Sequence, residues 1–240
     1  MAKLRVPTLQ HLARNWCREP RFTASALVRL AENPPRFSYN PLFKAVRDLL
    51  ILGVSYDQVV DGIRRTKRES VRNNLLSVMP LIREYFHDIR PDFCQSVERR
   101  YYPVARELMV PFEPPLIYGV SGQIYFPWFS FWRSNPLADE RLSLFVTLVE
   151  EVLLQDADLE TAQFDILDFS APDAKSEREL TVINAQNVPR VSDARKEQML
   201  SIFAEGDFQA LDTLAERSPS TQDDWHSQQP DPNQTSFPGF

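Results

Sequence analysis

The chain has 240 residues and a net charge of −6, divided unevenly: residues 1–110 hold 19 Lys/Arg against 11 Asp/Glu, and residues 111–240 hold 8 against 22. With only 6 Gly against 19 Pro, no stretch can form a GxGxxG or GxxxxGK[ST] phosphate cradle, which argues against dinucleotide and P-loop nucleotide binding. Cys17 and Cys94 form neither a disulfide framework nor a CxxC pair, and no apolar run is long enough to cross a bilayer.

Residues 1–16 are cationic and lack the apolar core of a secretory signal, so they read as a solvated basic helix, with a transit peptide as the alternative that their arginines and lack of acids allow. Leu9, Leu12, Ala13 and Trp16 recur at helical spacing, as do Leu27, Val28 and Leu30 after Pro20. Pro34-Pro35 closes this section. Asn40-Pro41 opens the next helix, with Leu42, Phe43, Val46, Leu49 and Leu50 on one face and Gly53 as its stop. Ser55 and Gln58 have capping-box spacing ahead of Val59, Val60 and Ile63. Ser70 is the expected cap of a helix carrying Val71, Leu75 and Val78, and Pro80 kinks it or starts another helix through Phe86. Short connections predict antiparallel neighbours.

From residue 101 the pattern changes. Tyr101, Tyr102 and Val104 favour extended backbone. Residues 116–126 read as a hairpin with a four-residue loop, 119–122, and Pro127 is expected to end the second strand or place it at an edge. Asp139 to Gln155 carries the clearest helical stripe, through Leu142, Phe145, Val146, Val149, Val152 and Leu153. Phe164–Phe169 and Leu180–Ile183 read as strands, and Asp193–Glu205 as a helix ended by Gly206, with a last turn or helix over 207–215. Ser, Gln, Asp and Pro dominate from Ser218 to Phe240, the composition of a disordered tail. The expected fold class is α+β: a basic helical region over 1–100, an acidic α/β region over 101–216, and a tail over 217–240.

Four constellations bear on chemistry. Arg64, Arg65, Lys67, Arg68 and Arg72 cluster between two expected helices, where they can neutralise phosphates or stand as a solvated face partly paired with the acidic half. The helix–turn–helix template fits poorly, because Gly62 falls inside the first helix and the junction has no turn glycine. The aromatic block from Tyr118 to Trp132 has apolar residues at both parities, as in a sheet buried on both faces, while Trp128 and Trp132 are the candidates for a partner anchor. His11 precedes Cys17 and His87 precedes Cys94, but neither offset is a zinc or nucleophile signature. Asp165 and Asp168 are three apart, which on a strand sends them to opposite faces.

The order of a hairpin, the helix beginning Arg141-Leu142-Ser143-Leu144-Phe145, further strands and another helix resembles the core of PD-(D/E)xK nucleases of the RecB type. The resemblance implies a hairpin whose acidic residue and Glu-x-Lys hold magnesium and the attacking water. Residues 114–138 here contain no Asp, Glu or Lys. Aligning Pro172-Asp173 and Glu179-Leu180-Thr181 instead puts Thr181 at the lysine position. Carboxylates for such a site would have to converge from elsewhere, such as Glu113, Asp165 or Asp168.

The function these observations point to is a non-enzymatic, cytoplasmic binding protein. Its basic helices would contact an anionic macromolecule, nucleic acid or an acidic protein surface, with no cofactor, no metal site and no membrane. A metal-dependent or degenerate nuclease is the alternative. Opposed charges are also compatible with head-to-tail self-association.

Overall fold

In the computed structural model, residues 4, 6–34, 38–173 and 175–217 are described. The expected tail therefore lies outside the described residues from 218 onward, as does Pro35. The chain is α+β. The helices α1 (Leu9–Asn15), α2 (Pro20–Glu32), α3 (Asn40–Leu50), α4 (Tyr56–Arg64), α5 (Glu69–Leu76) and α6 (Met79–Phe86) precede the strand β1 (Phe93–Gln95). Then come β2 (Arg100–Ala105), β3 (Leu108–Phe112), β4 (Ile117–Val120), β5 (Gln123–Ser130), α7 (Asp139–Leu153), β6 (Gln163–Asp168), β7 (Thr181–Asn184) and α8 (Asp193–Glu216).

Local chemistry sets several boundaries. Ser55 accepts from the Gln58 amide, and the Gln58 side chain accepts in return from the Ser55 backbone, completing the expected capping box. Gly53 takes φ +64° after α3. Pro80 sits in the first turn of α6, where its missing N–H costs no helical bond. Ser70 does not cap α5: the helix starts one residue earlier, at Glu69, with Arg68 in the cap position and no side-chain cap bond. The β4–β5 hairpin turns on two residues, Ser121 and Gly122, at φ +52° and +81°, instead of the expected four. Two successive positive φ values match the right-handed twist of the strands.

β1, β4, β5, β6 and β7 form one sheet in that order, antiparallel except for the parallel pair β5–β6, which α7 connects. β2 and β3 form a separate antiparallel ribbon. Pro127 lies inside β5 and does not end it. The pairing of β4 reaches only Tyr125, so at Pro127 the strand has a neighbour on its β6 side alone.

The sheet is buried on both faces. Even-numbered residues Phe126, Trp128, Phe164 and Ile166 join a core with α1, α2, α7, α8 and the β2–β3 ribbon. Odd-numbered residues Phe129, Leu167 and Phe169, with Tyr118 of β4, join a second core with α3, α4, α5 and α6. Basic and acidic stretches of sequence are thus wrapped around one sheet. Gly206 does not end α8, which runs unbroken through it. A Cβ there would lie 2.7 Å from the Thr23 Cβ and 2.8 Å from the Pro20 carbonyl, so glycine lets α8 lie against α2.

One cation ties the second core to the end of the sheet. Arg178, 6% exposed, donates through Nη1 to the carbonyls of Phe169 (2.6 Å), Phe131 and Trp132 (3.2 Å each). Its Nη2 donates to Asn74 Oδ1 of α5 at 2.7 Å and to the Tyr39 hydroxyl, beside α3, at 3.4 Å. Truncating it leaves several buried acceptors unpaired. Arg178→Ala should lower stability by about 3 kcal/mol, read as a drop in urea midpoint at unchanged slope, and Arg178→Lys should not restore it, because an ammonium lacks the fork. Gly206→Ala should cost about 1–3 kcal/mol by prising α2 from α8, on the same assay.

Candidate anion interface and buried polar groups

The basic cluster stands where α4 hands over to α5. Arg64 closes α4 and donates to Asp61 Oδ1 at 2.8 Å, a surface pair within its own helix. Arg72, half-buried on α5, turns back to the Thr66 carbonyl at 3.1 Å and so fastens the connection. Arg65, Lys67 and Arg68 are exposed, and among the described residues their side chains make no ion pair or hydrogen bond. The expectation that the cluster shares its charge with the acidic half has no counterpart in these contacts. The C-terminal carboxylates are taken up closer to home: Glu140 by Arg195, Glu150 by Arg190, and Glu151 by Lys196. What remains at the junction is three adjacent, solvated cations with no competing carboxylate bonded to them.

The tryptophans diverge. Trp128 is 6% exposed and stacks on Phe112 with centroids 5.3 Å apart, so it belongs to the interior and offers no surface to a partner. Trp132 is half-buried, with the His11 ring edge-on to it at a centroid separation of 5.4 Å and the Arg14 guanidinium 4.8 Å from its centroid. Helix α1 therefore lies over it.

The His and Cys residues of the sequence reading do not converge. His11 exchanges a hydrogen bond with the Thr8 hydroxyl at 2.9 Å, while Cys17 lies by Arg141, its Sγ accepting at 3.9 Å. His87 is exposed next to Asp88, and Cys94 lies on β1, its thiol pushed up to about 11 by burial. Among the described residues no three of His, Cys, Asp and Glu come together where a metal ion could be held.

The two aspartates of β6 face opposite sides, as their spacing requires. Asp168, on the Ile166 face, accepts from the Ser170 amide at 3.2 Å and hydroxyl at 3.0 Å. Asp165 shares the other face with Tyr118 and Leu167. Its Oδ2 accepts from Gln163 at 2.8 Å, and its Oδ1 is buried without a partner. Burial raises the pKa of both carboxyls above the ordinary carboxylate range. The Tyr85 and Tyr118 hydroxyls meet at 3.4 Å nearby, both held protonated chiefly by burial, with the Asp165 charge adding to the effect. Sequence reasoning missed this cluster and Arg178. The signal for the former was a carboxylate inside an apolar strand; for the latter there was none, because nothing local marks one arginine among many as buried.

Asp173 and Glu179, from the second nuclease alignment, are both exposed. Asp173 accepts from the Lys175 and Ser176 amides and the Ser176 hydroxyl, between 2.6 and 2.8 Å, and so shapes its own loop.

Burial, with Arg14 adding to it, brings the His11 pKa down to about 4 from 6.5. The unfolded chain then binds more protons between those values, so stability is full above about pH 6.5 and falls as pH drops toward about 4, by up to about 3 kcal/mol. A His11→Gln variant lacks this term: the stability of the parent minus that of the variant should shrink over this window, and a pH-independent difference in urea titrations would count against it. No protein-family model matches the chain, and no curated protein matches it as a relative.

Proposed function

We propose that the protein is a non-enzymatic intracellular binding protein that uses the α4–α5 junction to contact the phosphate backbone of nucleic acid. The observation that carries this reading is the group Arg65, Lys67 and Arg68, exposed side by side and unpaired. Backbone contact of this kind needs cations on a rigid support and no base-reading groups. The capped helix α4 and the Arg72–Thr66 bond supply the support. Arg64 adds a fourth cation once its exposed pair with Asp61 opens, and such pairs contribute at most about 1 kcal/mol.

Neutralising three phosphates predicts a slope of about −3 in log K against log salt for the full chain on a labelled duplex. A variant with Arg65→Glu, Lys67→Glu and Arg68→Glu should lose the binding and keep the parent's unfolding midpoint. No binding to duplex or single strands at low salt would overturn the nucleic-acid reading. Capture of an acidic protein by the same three residues would replace it.

The alternative proposal, a nuclease or a degenerate relative, draws on the hairpin β4–β5, the crossover α7 and the parallel strand β6, with a buried carboxylate at Asp165. Cleavage of DNA or RNA with Mg²⁺ or Mn²⁺ that Asp165→Asn abolishes would favour it over the binding reading.

A further inference from the structure

A cleft of about 450 Å³ opens between α2 and α8. The two helices run side by side in the same direction. Gly206 rests against Pro20 and Thr23 near the start, and Arg217 donates to Glu32 Oε1 at 2.6 Å near the end. One wall carries Arg21, Ser25 and Arg29, four residues apart on α2; the other carries Gln209 and Thr213 of α8 and its C-cap Arg217 at the same spacing. Ala24 and Val28, both buried, form an apolar floor.

Three guanidinium groups and one carboxylate therefore line the cleft. Glu32 pairs with Arg217, and Arg21 pairs with Glu19 at 2.7 Å while lying over Phe22. Both pairs are exposed, so a stronger oxyanion can exchange into them. Arg29 has no side-chain hydrogen bond or ion pair among the described residues. The Ser25 and Thr213 hydroxyls donate to backbone carbonyls one turn back, and Gln209 donates to Glu205, so the donors open to a ligand are the guanidinium forks. Forks of this shape match phosphate oxygens in pairs. Arg217, bonded to Glu32, and Arg29, three residues before Glu32 on α2, line one end. Arg21 stands eight residues before Arg29, about 12 Å along the helix axis, at the other.

We propose that this cleft binds a slender organic anion with an oxyanion group at each end, of the bisphosphate type. One group lies between Arg29 and Arg217, the spacer crosses Ala24 and Val28, and the second group meets Arg21. The site is independent of the α4–α5 junction, because α2 and α8 pack on one face of the sheet and α4 and α5 on the other.

Calorimetric titration of the full chain at low ionic strength with hexamethylene bisphosphate and with hexyl phosphate tests this. The bisphosphate should bind one to one and more than about tenfold tighter than the monophosphate, because the second group engages intramolecularly. Arg29→Ala should weaken the bisphosphate by about tenfold or more, and Arg21→Ala should reduce it to the level of the monophosphate. Both side chains are exposed, so an unchanged urea midpoint confirms that each variant folds. Arg65→Ala, at the junction and outside the cleft lining, should leave the bisphosphate titration unchanged. Equal affinity for the two probes, indifference to Arg29→Ala, or loss of binding in Arg65→Ala would each overturn the proposal.

Discussion

Arg178 carries a positive charge into a place where no carboxylate bonds to it. Among the described residues it has no ion pair; its two Nη groups are answered by three backbone carbonyls, an amide oxygen and a phenol, while its Nε is buried without a partner. Asp168 lies near enough for Arg178 to draw its pKa down, against the upward effect of burial. A guanidinium is expensive to desolvate, so its surroundings must present acceptors at fixed points. Those points belong to the ends of β5 and β6, to Asn74 on α5 and to Tyr39 beside α3. The helices of the second core are thereby registered on the sheet by polar geometry, beyond the apolar contacts of Phe86, Phe129 and Phe169, which could slide.

On the other side of the sheet the registration is done by ion pairs and by a missing side chain. Glu151 of α7 takes the Tyr102 hydroxyl at 2.6 Å and the Lys196 ammonium, joining the ribbon, α7 and α8. Gly206 sets the approach of α2 to α8. These pairings explain what becomes of the unequal charge of the two stretches of sequence. Most of the acidic carboxylates that are paired find cations of their own stretch. Among the described residues, Arg99–Glu113, Arg100–Asp156 and Arg217–Glu32 are pairs that cross residue 110. The cations of α2 and of the α4–α5 junction are left facing solvent on opposite sides of the sheet.

Much of the helical content was legible because its determinants are local. The Ser55–Gln58 box, Gly53, and the stripe from Leu142 to Leu153 each act within a turn or two. Two-sided burial of the sheet was legible from apolar residues at both parities around Trp128. The errors have physical causes too. Gly206 looks like a stop from its sequence, but its neighbours are Pro20 and Thr23, far away along the chain. Pro127 was expected to end its strand or stand at an edge; it does not end β5, and the shortness of β4 leaves the strand one-sided there, as at an edge. Ser70 has the chemistry of a cap but lies one residue inside the helix. The junction cations were visible in the sequence as a run, whereas the α2–α8 cleft was not, since Arg29 and Arg217 come to line one cleft only through folding.

The pairing of α2 with α8 also orders events in time. A ribosome makes α1 and α2 first among the described helices and α8 last, with the whole sheet between them. Until α8 emerges, Leu27 and Val28 lack the surface that covers them in the finished molecule. Contacts so far apart in sequence close slowly, and uncovered apolar helices attract one another between chains. The second core, built from the consecutive helices α3 to α6 and the strands that follow, can assemble while the first two helices wait. Synthesis therefore leaves α2 uncovered for longer than the helices of the second core.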